Sequence, residues 1–207
     1  MKIKSGIKII LVLSSWSSGS TSLAGFLDKC GAYSCPPHFQ TNDPRTPNAF
    51  ESKEYRDELK KYVDESTLKF IKDPKDFEFF FNDWINKRIE EAKEKKCTHI
   101  FLKHPLQIYL IDQIIKTCET QFVIITRPFK EIENTRIRRK WPKVYGSYGA
   151  NILYNSIYGF LHQNEDSYMV LPYNKFRTNF EIQKKLLSFL DLNPSDAQIE
   201  SAKNWLR

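Results

Sequence analysis

Leu11-Val-Leu-Ser-Ser-Trp-Ser-Ser-Gly-Ser-Thr-Ser-Leu-Ala-Gly-Phe-Leu27 sets the architecture of this chain. An apolar, β-branched run from Ile7 to Leu13 feeds a turn of small hydroxyl residues around Gly19. A helical apolar pattern (Leu23, Phe26, Leu27) follows at once. Strand, small-residue loop and helix in that order predict a phosphate cradle. Small side chains let backbone N–H groups approach an anion, and the helix N-terminus adds its positive dipole end. The loop is not of the ATPase type, which needs a Gly-Lys-Ser/Thr ending; no Lys lies between Lys8 and Lys29. Only Gly19 sits in the turn, so the dinucleotide fingerprint is absent as well. A serine-rich turn without a ligand is the plainer alternative.

Outward from the loop, the chain alternates strand and helix. Strands are predicted at Ile7–Leu13, Thr98–Lys103, Gln121–Thr126 and Ser167–Leu171. Helices are predicted at Ser20–Lys29, residues 50–63, Asp76–Lys96, Leu106–Thr117, Phe129–Lys140, Tyr148–His162, Phe180–Leu190 and Ser195–Leu206. The helix at 76–96 is the clearest, with Phe77, Phe80, Phe81, Trp84, Ile85, Ile89 and Ala92 on one stripe. Gly31 to Asn48 holds four of the ten prolines and reads as a loop. Strands that are continuous apolar runs belong to a parallel sheet covered on both faces. The expected fold is therefore three-layer α/β/α, with a central, mainly parallel sheet and a P-loop-like phosphate-binding loop. Ligands of such sheets sit at the carboxyl ends of the strands. Ser14–Ser22, Lys103-His104, Arg127 and Pro172-Tyr173 all fall there.

The 207 residues fit a single domain, 1–207, and 41% apolar with 14% aromatic residues exclude disorder. The net charge of +7 favours anionic partners, and Arg136, Arg138, Arg139, Lys140 and Lys143 form the densest basic cluster. With Trp141 and Tyr145 beside it, that cluster could grip an anionic acceptor, cover an adenosine, or simply be a solvated helix face. Cys30, Cys35, Cys97 and Cys118 match no zinc or redox spacing and read as free thiols, and no Asp/His cluster has metal-ligand spacing. The N-terminal apolar run is short and interrupted by Lys8. It suits a first strand better than a secretory signal, so a cytoplasmic location without membrane attachment is expected.

A second motif, Ile124-Ile-Thr-Arg-Pro-Phe-Lys-Glu-Ile-Glu-Asn-Thr135, places Arg127 at a strand end, eight residues before the hydroxyl of Thr135. Read alone, Arg127 would pair with Glu131. Together, Ser17-Ser-Gly-Ser-Thr-Ser22 and Arg127…Thr135 resemble the two nucleotide-binding motifs of the sulfotransferase family. Ser18, Gly19, Ser20 and Thr21 match the first. Ser17 stands where the family carries a basic residue, and the Pro follows Arg127 one residue earlier than usual. Asn48–Ser52, Phe101–Pro105, Leu171–Phe176 and Leu187–Leu192 resemble further family segments, with Asn174 where Glu is common.

This resemblance implies a sulfotransferase using 3′-phosphoadenosine 5′-phosphosulfate as donor, without a metal. Ser17, Ser18, Gly19, Ser20, Thr21 and Ser22 would hold the 5′-phosphosulfate, and Arg127 and Thr135 the 3′-phosphate, with Tyr173 in the nucleotide site. Sulfuryl transfer needs positive charge on the leaving phosphate and a base on the acceptor. Lys103 is the candidate cation. Glu51 and His104 compete as base, with Glu51 preferred. The loop from Tyr33 to Asn48 would shape the site of a small-molecule or glycan acceptor. The rivals are a catalytically weakened nucleotide binder of the same fold and a P-loop nucleotide kinase; a nucleic-acid module is disfavoured.

Overall fold

In the computed structural model, which describes residues 2–3, 5–41, 43, 46–164 and 167–206, the strands and helices alternate as expected. The first half runs β1 (Lys8–Leu13), α1 (Ser20–Lys29), β2 (His38–Gln40), β3 (Asn48–Ser52), α2 (Lys53–Leu59), β4 (Val63–Asp64), β5 (Lys69–Phe70) and α3 (Phe77–Glu94). The second half runs β6 (His99–Lys103), α4 (Ile111–Thr117), β7 (Thr120–Thr126), α5 (Phe129–Arg139), α6 (Ser147–Gln163), β8 (Tyr168–Pro172), α7 (Tyr173–Thr178), α8 (Phe180–Leu190) and α9 (Asp196–Leu206).

The central sheet has the order β6-β1-β7-β8, and every pairing in it is parallel. Alternation along β1 explains the layers. Ile9, Leu11 and Leu13 face one core with Phe81, Ile85 and Ile89 of α3 and Leu153 and Ile157 of α6. Ile10 and Val12 face the other, with Leu23 and Phe26 of α1, Leu186 and Leu190 of α8 and Ala202 and Leu206 of α9. Neither face sees water, so the period-two polar pattern of a half-exposed strand is missing. Each fully buried Leu or Ile contributes about 1.5–3 kcal/mol. The indole of Trp205 donates to Ser22 O (3.0 Å), tying α9 to the first turn of α1.

Three local expectations are corrected. The loop expected over 31–48 contains β2, which pairs antiparallel with β3; Asn42, Pro44 and Arg45 of that stretch lie outside the described residues. The helix expected at 50–63 starts only at Lys53. The Asn48 side chain accepts the Phe50 N–H (2.8 Å) and Phe50 takes a φ of 54°, which keeps Glu51 on a strand. The helix expected at 106–117 opens as a 3-10 turn over Pro105–Leu110, with His104 Nδ1 accepting from the Leu106 N–H (3.2 Å). The hairpin of β4 and β5 and the short α7 had no periodic signal long enough to read.

All four strands of the main sheet end on one edge. In register, Val12 lies beside Lys103, Leu13 beside Ile124 and Thr126 beside Pro172. The loop after β1, the end of β6, Arg127 and Tyr173 therefore share that edge.

Candidate active site

The loop between β1 and α1 is held by its own hydroxyls. Ser18 Oγ donates to Ser15 O (2.7 Å) and Ser15 Oγ to Trp16 O (3.1 Å). Ser17 and Gly19 adopt left-handed backbone, with φ of 61° and 94°. A Cβ at Gly19 would collide with the Tyr173 ring. The Ser22 and Leu23 N–H groups return to Gly19 O (3.0 and 3.3 Å), whereas the helix start has no side-chain cap. The first-turn N–H groups of Ser20 and Thr21 thus remain aimed along the helix dipole, as an anion requires. The hydroxyls of Ser15 and Ser18 serve as scaffold rather than as ligands.

Lys103 is nearly sealed from water, with its side chain 3% exposed. Its ammonium donates to Glu51 Oε1 (2.8 Å), to Ala49 O (2.9 Å) and to Thr21 Oγ1 (3.3 Å). The cation of β6 therefore touches both β3 and the first turn of α1. Burial alone would raise the Glu51 carboxyl. The Lys103 ammonium, with Arg56 beside it, outweighs burial and holds the group below its ordinary value, so it is ionised.

His104 is fully buried. Its Nδ1 accepts a backbone N–H, which leaves the proton of the neutral ring on Nε2. Nε2 has no hydrogen-bond partner among the described residues and lies 3.9 Å from Glu51 Oε2. Burial pulls the imidazole down to about 4. A neutral ring with its free lone pair already engaged is a poor proton acceptor.

Arg127 reaches the loop from β7. Its Nη1 donates to Ser17 O (3.2 Å) and to Thr135 Oγ1 (3.2 Å), and its Nε to Glu131 Oε2 (2.9 Å). The pair with Glu131, expected when Arg127 is read alone, is formed, and the same guanidinium also bonds to the loop and to Thr135. The guanidinium also lies 5.0 Å over the Tyr173 ring.

A cavity of about 580 Å³ opens beside the loop. Ser17, Ser20 and Thr21 line it with Lys103 and Glu51, and so do Trp16, Phe39, Asp43, Arg56, Arg138, Arg139 and Tyr145. Arg127, Thr135 and Tyr173 are not among its lining residues. Arg127 reaches the loop through its bond to Ser17 O, but the cavity does not extend to it, and the Tyr173 ring lies over Gly19. Arg56 and Glu65 are cavity residues that sequence reading missed. The residues around Arg56 read as one helix, and Glu65 sits in a hairpin too short to leave a pattern. No group of three His, Cys, Asp or Glu residues among the described residues could hold a metal ion, and no described helix is long and apolar enough to cross a membrane.

No protein-family model and no curated protein sequence matches the chain. Solved structures do. The sulfotransferase STF9 from Mycobacterium avium aligns over 97% of this chain and 68% of its own, at 13% identity and a TM-score of 0.54. The sulfotransferase STF1 from Mycobacterium tuberculosis H37Rv aligns over 95% of this chain and 70% of its own, at 11% identity and a TM-score of 0.53. At such identities the likeness is one of backbone architecture. The chain has the sulfotransferase fold.

Proposed function

We propose that this chain is a sulfotransferase that moves a sulfuryl group from 3′-phosphoadenosine 5′-phosphosulfate to a hydroxyl or amine of a small-molecule or glycan acceptor. The observation that carries the reading is the meeting of Lys103, Glu51 and Thr21 at the uncapped start of α1. The donor, when bound, supplies an activated sulfuryl group on its 5′-phosphate. The N–H groups of Ser20 and Thr21 and the Lys103 ammonium then stabilise the charge that the phosphate gains. Lys103 thereby replaces, from the neighbouring strand, the basic residue absent at Ser17. This argues against the weakened-binder alternative.

Glu51 takes the proton lost by the acceptor. Lys103 is its nearest counter-charge; as the ammonium turns toward phosphate, the proton affinity of the carboxylate rises. Glu51 is thus a stronger base with donor bound than without it. Arg127 and Thr135 hold the 3′-phosphate, which requires the Tyr173 ring to leave Gly19 and stack on the nucleotide instead. The nucleotide kinase alternative lacks the loop Lys that reaches a terminal phosphate.

The test is thermal shift and calorimetry with adenosine 3′,5′-bisphosphate, ATP, GTP and NAD. Selective stabilisation by the bisphosphate is expected, and Arg127→Ala should weaken it by about tenfold or more, the loss of a charge-assisted contact. Equal shifts with ATP, or unchanged affinity in Arg127→Ala, would refute the reading.

A further inference from the structure

We infer that the acceptor carries an anionic group, a carboxylate or a sulfate, and that Arg138 and Arg139 receive it in place of Asp43. This rests on the sulfotransferase reading and adds the chemistry of the acceptor to it. Arg138 and Arg139 stand at the C-terminal end of α5 and line the cavity that contains Lys103 and Thr21. The Arg139 guanidinium carbon lies over Trp141, 4.5 Å from the ring centre. It donates from Nε to Asp43 Oδ2 (2.9 Å) and from Nη2 to Thr46 Oγ1 (3.3 Å). Arg138 Nη2 lies 3.6 Å from the same Asp43 oxygen and its side chain is 45% exposed.

Charge matching in the cavity wall singles out this corner. Glu51 is matched by Lys103, Glu65 by Lys60, and Arg56, which also lies 3.8 Å from Glu51, by Asp57. Among the described residues, the Asp43 carboxylate carries one charge against the guanidiniums of both Arg138 and Arg139. Arg138 has no other ion pair among the described residues, so its donors are the least spent of the set. Asp43 belongs to the connection between β2 and β3 rather than to the central sheet. A planar guanidinium fork donates to two oxygens of one anion side by side, and a ligand carboxylate or sulfate offers both. Asp43 is then the internal occupant that a ligand anion displaces. Trp16 and Tyr145, edge to face at 4.8 Å, supply an apolar wall for the rest of the acceptor.

The test is calorimetry on the full chain saturated with adenosine 3′,5′-bisphosphate. Three probes share one ring and one hydroxyl: 4-hydroxybenzoate, 4-hydroxybenzenesulfonate and uncharged 4-hydroxybenzamide. The anionic probes should bind about tenfold or more tightly than the amide, the worth of one charge-assisted hydrogen bond. The two anions together separate carboxylate from sulfate-like recognition. Arg138→Ala, at a half-exposed position, should abolish the advantage. Asp43→Asn should enlarge it beyond the effect of Glu200→Gln, an exposed carboxylate whose loss changes net charge equally. Equal binding of amide and anions, or equal effects of Asp43→Asn and Glu200→Gln, overturns the inference. So does an Arg138→Ala loss of bisphosphate affinity as large as its loss of anion affinity, since the guanidinium would then belong to the nucleotide. Failure of the native chain to bind the bisphosphate sinks the sulfotransferase reading instead, and the comparison of anion with amide, repeated without nucleotide, still decides this one.

Discussion

Lys103→Met removes one charge from a buried pair and keeps the aliphatic stem. At 2.8 Å and an effective dielectric of about 20, the gross attraction between Lys103 and Glu51 is about 6 kcal/mol. Desolvation of the two ions opposes it by several kcal/mol each, so the pair as a whole contributes little. Breaking it is another matter. The Glu51 side chain, 10% exposed, would keep its charge with only Arg56 at 3.8 Å and a neutral His104 nearby. The expected loss is about 3–5 kcal/mol near neutral pH, a large part of a total stability of about 5–15 kcal/mol.

The sign with pH follows from Glu51. Its folded value is depressed, so the stability it contributes is present above the ordinary 4.5 and is lost as pH falls through the folded value. In Lys103→Met that depression is relieved, Glu51 protonates readily, and the deficit against the native chain shrinks as pH falls toward and through the ordinary 4.5. Lys103→Met/Glu51→Gln should recover at least half of the loss, because no charge is then stranded. Urea unfolding of the native chain and the variants near neutral pH and below the ordinary 4.5 measures this. A Lys103→Met chain within about 1 kcal/mol of native near neutral pH, or a double variant as unstable as the single one, would refute the reasoning.

Two further outcomes are expected. The His104 imidazole is depressed by burial from 6.5 to about 4, so an unfolded chain takes up that proton first as pH falls; the native chain should lose about 3 kcal/mol across this window, and His104→Asn should flatten that part of a urea-midpoint profile. Gly19→Ala puts a side chain at φ 94° against the Tyr173 ring, which should cost about 1–3 kcal/mol by thermal or urea unfolding; Gly19→Ala/Tyr173→Ala should recover only the collision and not the backbone strain.

The central sheet was legible because β1, β6 and β7 are apolar at nearly every position and each is followed by helical spacing. A strand buried on both faces admits no other pattern. Arg127 and Thr135 were singled out together by their resemblance to a family motif, and the structure places both on α5 or at its entrance. The strand at Asn48–Ser52 was not. Phe50, Tyr55, Leu59 and Tyr62 recur at helical intervals, and only pairing with residues 38–40 and the Asn48 turn override that period.

The sequence by itself determined the strand–loop–helix cradle, the parallel sheet and the edge on which its chemistry gathers, since backbone period and chain order dictate these. Tertiary structure alone decided that Lys103 reaches Thr21, that Glu51 is ionised beside a neutral His104, and that Tyr173 covers Gly19. Ion pairing, burial and ring contact depend on residues up to about a hundred and fifty positions apart along the chain, and spacing within any one segment carries no information about them.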